Sequence, residues 1–504
     1  MLTPTYLMEA SAKMTAEQSR KGSIYREVLR NCGQYSIAVV ANRVVGVLLL
    51  PVYSRLLTPA DYGVMALLDL TLYVASALFG MQLANATFYF CAKRPGNRNR
   101  DVVLTTVMAA SALLGVFVGA LGLLLAESAS TLIGGSARYA TLYRLQFVSL
   151  ALSLPLEAGY CAIRALDRPG QYVRTALVQL FLGVAVTLPL LTYYRLGVAG
   201  MISAAAAAQA VALVMIICQT RAHLHSIPDG RLLVAMLKYS WPLTISSALM
   251  LIVHFGDTFV LRHFVPLAQV GIYSLAYRIG MMVAFVELPY LRYWNVRMYE
   301  VVREVGGLEV FSHMCTYRTA ALSLAAVALA VFAGPALRIA LPTSYYDAAQ
   351  YVPWIAGAYV VRSVGSHFLD VLLMEGRTSR HLVIIAAGTA VCVGGYAVLI
   401  PRFALYGAVF ATIVCFATMM VMAYSAARRG DRFRFEIVRL IKIGASAILV
   451  MVSYTYCRPV ALWWLVGSAI LFTAAYPALL VLVRLFTPSE LRSIRSYGAG
   501  FLRA

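Results

Sequence analysis

Six charged side chains lie at mid-depth in otherwise apolar runs of this chain: Arg43, Asp69, Arg144, Asp257, Arg278 and Arg362. On insertion scales a charge at the bilayer centre costs roughly 2.5–3.5 kcal/mol, so each must be paired, wetted or put to use. Counting ~1.5 Å per residue from the outer ends of their runs, the two aspartates sit ~8–10 Å deep and Arg43 and Arg278 ~12–16 Å deep. That range of depths lets them share one cavity. One reading pairs Arg43 with Asp69 and Arg278 with Asp257, as internal salt bridges that fix hairpin packing. Two observations favour a ligand role. Arg144 and Arg362 have no acidic residue at comparable depth, whereas Glu157, Glu287 and Asp370 fall nearer the inner ends, within snorkelling reach, where gating or structural roles are expected. Four mid-depth arginines against two aspartates leave a positive excess that suits an anion. The planar guanidinium fork fits phosphate oxygens in pairs, which lysine cannot do.

Other chemistries find little support. The chain has no G-x-x-x-x-G-K-[ST] phosphate loop and no G-x-S-x-G elbow, so neither nucleotide hydrolysis nor acyl transfer is expected, nor any cofactor. His223 and His225 flank Leu224 without a Cys/His partner set, which reads as a solvated loop pair and not a metal site. His254 and His367 each stand alone on apolar helices and read as packing residues ahead of proton relays. The eight cysteines form no C-x-x-C and mostly sit in apolar runs, as small buried hydrophobes.

The elements that position these charges follow from composition. A mean hydropathy of +0.77 with 61% hydrophobic and 12% charged residues lies far from the ~25% charged content of ordinary globular proteins. Runs near the ~20 residues of a spanning helix imply an all-α polytopic membrane protein. About fourteen transmembrane helices are expected, near 34–54, 63–91, 102–126, 139–163, 172–193, 197–218, 239–261, 268–290, 317–337, 350–374, 382–400, 405–426, 437–456 and 461–483. Residues 1–33 lack the apolar core of a cleaved signal and read as an inner segment.

Basic residues fix the orientation. Each outer loop carries a single one of the 42 Lys and Arg (Arg55, Arg138, Arg195, Arg262, Arg338, Arg402 and Arg458), four lie deep within runs, and the rest fall in inner segments or at the inner ends of runs. Both termini are therefore expected in the cytoplasm. The net charge of +21 anchors the chain against anionic lipid head groups and is not a nucleic-acid surface.

An internal repeat organises the runs. Tyr53–Leu70 is a faint copy of the stretch around Arg262 and Gly271, with Arg55, Pro59 and Gly63 opposite Arg262, Pro266 and Gly271. Arg195 and Arg402 share the 207-residue offset of Arg55 and Arg262, and each precedes a glycine by five positions, Gly200 and Gly407. Six helices per repeat keep both copies in the same orientation, so a parallel repeat is expected. The domains then read as 1–33 inner segment, 34–220 first six-helix bundle, 239–426 second bundle, 437–486 two further helices and 487–504 inner tail.

Leu48–Leu70 (LLLPVYSRLLTPADYGVMALLDL), Gly256–Leu261 (GDTFVL), Val270–Gly280 (VGIYSLAYRIG), Ser344–Val361 (SYYDAAQYVPWIAGAYVV) and Thr487–Leu491 (TPSEL) resemble the Wzx-type polysaccharide flippases of the multidrug/oligosaccharidyl-lipid/polysaccharide exporter (MOP) superfamily. The resemblance implies a V-shaped, two-bundle transporter in a bacterial inner membrane. It would move an undecaprenyl-pyrophosphate-linked oligosaccharide outward for O-antigen, capsule or exopolysaccharide synthesis. The arginines that line the cavity in such proteins carry over to Arg43 and Arg278, and then to Arg144 and Arg362. Implied partners are the lipid-linked oligosaccharide and membrane lipids, with a polysaccharide polymerase and chain-length proteins as further candidates. Fourteen helices exceed the twelve of many such flippases, which keeps a lipid II flippase open beside a cation-coupled multidrug or metabolite antiporter and a scaffold subunit.

Asp69 and Asp257 are the candidates for ion coupling, because a carboxylate in low dielectric takes up a proton readily. If either alternates between paired and protonated states, collapsing both the proton and the sodium gradient across vesicles stops transport. Transport that continues unchanged removes that role.

Overall fold

A computed structural model of the chain describes residues 31–485, apart from 47, 50–60, 62–63, 66–67, 69–70, 73–74, 77–79, 81, 94–95, 133–136, 341–342, 429–432 and 458–461. Asp69, most of the Tyr53–Leu70 copy, residues 1–30 and the TPSEL motif lie outside the described residues. The described chain is helical throughout, without strands. It begins with α1 over 31–46 and continues through α2 (Leu83–Lys93), α3 (Asn97–Leu132), α4 (Ala140–Ala165), α5 (Pro169–Thr192), α6 (Gly197–Thr220) and α7 (Gly230–Phe264). Then follow α8 (Leu267–Gly280), α9 (Met282–Val301), α10 (Gly307–Ala340), α11 (Val352–Met374), α12 (Thr378–Arg428), α13 (Ile437–Cys457) and α14 (Leu462–Leu482).

Among the described residues the apolar runs from 102 onward reappear in helices, with two differences. The run at 268–290 is divided between α8 and α9, whose junction is Met281. The runs at 382–400 and 405–426 are joined as α12, whose 51 residues bend at Ala404, with φ 49° and ψ −123°. At 1.5 Å per residue α12 is ~77 Å long, more than twice the ~30 Å hydrocarbon core, so the bend separates two spans. Among the described residues ten helices are long and apolar enough to cross a membrane. The α11 helix is not one of them, since Arg362, Ser363, Ser366, His367 and Asp370 lower its hydropathy. It tolerates them because its faces are largely buried by neighbouring helices and not by lipid.

The chain forms two compact units. One comprises Arg30–Ala248 with Pro289–Tyr299, the other Leu249–Leu288 with Glu300–Ala504, so that α7 and α9 each contribute to both. In the first unit α3 lies close against α4 through glycines. A Cβ at Gly115 would lie 2.4 Å from the Ala151 carbonyl oxygen, and one at Gly122 would lie 2.3 Å from the Phe147 ring. Small residues allow this approach where no hydrophobic force drives helices together inside lipid. In the second unit α13 and α14 pack on α10 around Val331, Tyr454 and Tyr476, and the Tyr454 hydroxyl donates to the Val331 carbonyl at 2.9 Å.

Backbone geometry carries the repeat that the arginine spacing points to. The helix end at α4 has Asp167 at φ 52°, with Asp167 N–H donating to Arg164 O and Arg168 N–H to Ile163 O. The end of α11 has Gly376 at φ 74°, with Gly376 N–H donating to Leu373 O and Arg377 N–H to Leu372 O. Both are Schellman caps, 209 residues apart. After the next helix the offset becomes 207, where Gly197 at φ 54° matches Ala404 at φ 49°. Gly200 and Gly407 then face the end of the preceding helix at Leu190 and Leu399.

A left-handed residue without glycine costs about 1–2 kcal/mol, less for Asp. Replacing Gly376 with Ala should therefore lower stability by about 1 kcal/mol, and Asp167→Gly should raise it by a smaller amount. Thermal unfolding of the purified protein measures both.

Candidate functional site

Polar residues on α11 recur at Arg362, Ser366 and Asp370 and at Ser363 and His367, a helical spacing that gathers them into one stripe. Opposite the stripe stand Glu287 of α9 and Arg318 of α10. Glu287 is 2% exposed and sits between two guanidiniums, with Arg318 Nη1 at 3.3 Å and Arg362 Nη2 at 3.7 Å. The Ser363 hydroxyl donates to the same carboxylate at 2.5 Å. Arg318 also donates to the Ser363 carbonyl and, at 3.4 Å, to Ser366 Oγ. Two guanidiniums thus share one buried carboxylate. Removing one partner of such a buried set typically costs 3–5 kcal/mol.

Above the cluster lies an aromatic triangle. His254 Nδ1 is 3.2 Å from both the Tyr277 and the Tyr359 hydroxyls, and Tyr359 donates to Tyr277 at 3.0 Å. The guanidinium of Arg362 lies over the Tyr359 ring at 5.4 Å. Arg362 is thus fixed by an anion on one side and a ring face on the other, yet its side chain remains 28% exposed. It borders a cavity of about 180 Å³ that also reaches Ser366 and His381.

These contacts revise several expectations. Arg362 does have an acidic partner, because Glu287 is buried in the unit and does not snorkel to the inner end. Asp370 is likewise enclosed, 3.9 Å from the buried His367, whose other nitrogen meets the Phe311 carbonyl at 3.0 Å. Only Glu157 stays exposed, within 3.6 Å of Arg164 and of Arg292. Asp257 is not paired with Arg278. Its carboxylate accepts the Tyr273 hydroxyl at 2.5 Å, the Thr258 amide at 2.6 Å and the Thr258 hydroxyl at 3.1 Å. His223 is no solvated loop residue but contacts Asp101 at 2.8 Å.

Arg278 on α8 and Arg144 on α4 are exposed, and neither makes an ion pair among the described residues. Arg43 on α1 is exposed as well, while Asp69 lies outside the described residues. The structure thus brings together Arg362, Glu287 and Asp370 in one unit. Sequence reading missed Arg318, Tyr277, Tyr359 and Ser363. Arg318 stands at the edge of the run 317–337, and the acidic Glu287 at the end of the run 268–290 was the signal that a cation was needed there. The tyrosine at 359, three residues before Arg362, was the available signal for a stacking partner.

Three comparisons bear on this geometry. A family model described as polysaccharide biosynthesis protein matches residues 28–292. A search of curated proteins gave no match. Among solved structures, an outward-facing multidrug resistance MATE family transporter of the MOP superfamily matches with a TM-score of 0.67 at 16% identity, covering 83% of this chain and 96% of that one. A mutant of the Vibrio cholerae MATE transporter VcmN matches with a TM-score of 0.68 at 14% identity, covering 82% and 98%. A MOP superfamily transporter from Pyrococcus furiosus, described as having a binding pocket of reverse polarity, matches with a TM-score of 0.66 at 16% identity, covering 83% and 96%. With the family match spanning more than half of its length, the chain belongs to the polysaccharide biosynthesis protein family, built on the fold of the MOP-superfamily transporters.

Proposed function

We propose that the chain is a flippase that carries an undecaprenyl-pyrophosphate-linked oligosaccharide from the cytoplasmic to the outer leaflet of a bacterial inner membrane, for O-antigen, capsule or exopolysaccharide synthesis. The observation that supports this most is Arg278, an exposed guanidinium within the span Gln269–Val301 that makes no ion pair among the described residues. A charged head group cannot cross hydrocarbon unaided, since burying an unpaired ion costs many kcal/mol. Fixed donors along the route replace the lost hydration, and arginine grips two phosphate oxygens at once. Arg43, Arg144 and Arg362 are further contacts of this kind. The product is a lipid-linked repeat unit in the outer leaflet, the form in which a polymerase with its chain-length protein would accept it.

A drug-cation antiporter needs acidic groups free to meet its cargo. Here Glu287 is held by two arginines and Asp257 by Tyr273 and Thr258. The Pyrococcus furiosus relative, with its pocket of reverse polarity, offers a precedent within the same fold for a different function.

The test is the lipid fraction of a strain lacking the chain. Accumulated undecaprenyl-linked oligosaccharide with normal peptidoglycan synthesis supports the reading, and accumulated lipid II shifts it to the peptidoglycan flippase. Arg278→Ala should reduce glycan export at least tenfold at matched membrane levels, because a charge-assisted hydrogen bond is worth about 1.5–3 kcal/mol. Lysine at this position should restore export only in part. Since Asp257 has its own partners, adding Asp257→Ala to Arg278→Ala should not restore activity, and full export by that double variant would remove Arg278 from the ligand site.

A further inference from the structure

The end of α11 that begins at Val352, the outer one by the distribution of basic residues, carries a series of packed aromatic rings. It follows a short 3₁₀ helix, Thr343–Gln350, braced where the Tyr346 hydroxyl donates to the Arg338 carbonyl at 3.4 Å. Tyr351 lies 4.8 Å from the ring of Tyr406, on α12 just past the bend, and Tyr406 stacks with Phe410 at 6.1 Å. Phe410 and Trp354 meet nearly at right angles, 5.7 Å apart. Tyr351 is buried, whereas Trp354 at the other end of the series is 48% exposed.

The surroundings of Trp354 differ from those of a tryptophan that only seats a helix at the lipid interface. Trp463 and Trp464 of α14 fit that role, being 82% and 75% exposed with Ile470 and Leu471 exposed two turns on. Around Trp354 the exposed positions on the same face are Gln350, four residues before it, and Gly357, three after it. The exposed Asp347 stands one 3₁₀ turn before Gln350. The Tyr406 hydroxyl donates to Gln350 Oε1 at 3.3 Å, which leaves the Gln350 amide nitrogen without a partner among the described residues. A Cβ at Gly357 would meet nothing within 4 Å, so open space lies beside the indole. An indole backed by other rings, with an amide and a carboxylate at its rim, suits a ligand that is apolar on its face and polar around its edge. A pyranose ring is such a ligand: its C–H groups lie against the negative face of an aromatic, and its hydroxyls take the hydrogen bonds.

We infer that this end of α11 is a sugar-binding subsite, in which Trp354 stacks on a pyranose ring while Gln350 donates to its hydroxyls and Asp347 accepts from them. The inference rests on the flippase reading and adds to it a contact with the glycan, distinct in chemistry from any contact with the phosphates. Trp354 lies eight residues, ~12 Å, from Arg362 along α11, so sugars joined to a head group at the depth of that arginine extend toward the subsite.

The probe is the oligosaccharide released by mild acid from the carrier lipid that accumulates in a strain lacking the chain. It is added to the purified full chain in phosphatidylcholine nanodiscs, because sugar-based detergents would compete. Calorimetry should show saturable binding, weakened about tenfold by Trp354→Ala, less by Trp354→Phe and several-fold by Gln350→Ala. Gly357→Leu, which fills the open space from an exposed position, should abolish binding at an unchanged unfolding temperature. Trp464→Ala should bind as the unaltered chain does. In cells, Trp354→Ala should slow export of the full repeat unit more than export of a carrier bearing only its first sugar, a difference that a purely structural role would not produce. No binding by the unaltered chain, full binding in both Trp354→Ala and Gly357→Leu, or an equal loss in Trp464→Ala overturns the subsite and leaves an interfacial aromatic belt. If the accumulated carrier is lipid II, the reading of the transported substrate fails, and the same binding series with the lipid II disaccharide decides the subsite by itself. If no carrier-linked sugar accumulates, the flippase reading and the subsite fall together.

Discussion

A single carboxylate held by two guanidiniums sets the terms for the second unit. Glu287 with Arg318 and Arg362 places three charges where water is scarce, a situation that is stable only when geometry and hydrogen bonds replace hydration. That requirement explains why α11 is polar along one stripe and why it is enclosed by α10 and α12. It also explains why Ser363 serves both arms of the cluster, donating to Glu287 through its hydroxyl and accepting from Arg318 through its carbonyl. Arg362 is the member of the cluster that borders a cavity.

The two copies of the repeat share backbone geometry without sharing this chemistry. The caps at Asp167 and Gly376 have the same hydrogen-bond pattern 209 residues apart. At that offset Glu157 corresponds to Ser366 and Ser153 to Arg362. The first unit thus has an exposed acid where the second has a hydroxyl beside a guanidinium. One scaffold positions both, while the side chains that line each unit have diverged.

Much of the fold was legible because hydrocarbon imposes a simple length rule. The runs at 239–261, 317–337 and 437–456 fall inside α7, α10 and α13, and the arginine spacing located the repeat. Partner choice was less legible, since it depends on rotation about helix axes that linear depth does not capture. Counting residues from run ends placed Asp257 and Arg278 close enough to pair, yet Asp257 turns toward Tyr273 four residues from Tyr277 on α8. The same counting set Glu287 near the inner end, whereas packing buries it against Arg318. The division of 268–290 into α8 and α9 falls at Gly280, the last residue of α8, while Pro289, the more obvious breaker, lies inside α9.

The triangle of His254, Tyr277 and Tyr359 has two hydroxyl protons for three edges. With the imidazole nitrogen accepting, Tyr359 can donate to Tyr277 and Tyr277 to His254, or the order can reverse. Both arrangements satisfy every donor and differ only by rotation about two C–O bonds. The triangle therefore has two dipole directions open to it, and exchange between them moves no net charge. Arg362, resting on the Tyr359 ring, experiences each direction differently. A dipole whose direction is set by hydroxyl rotation thus lies beside the guanidinium, a source of electrostatic compliance that needs no movement of the backbone.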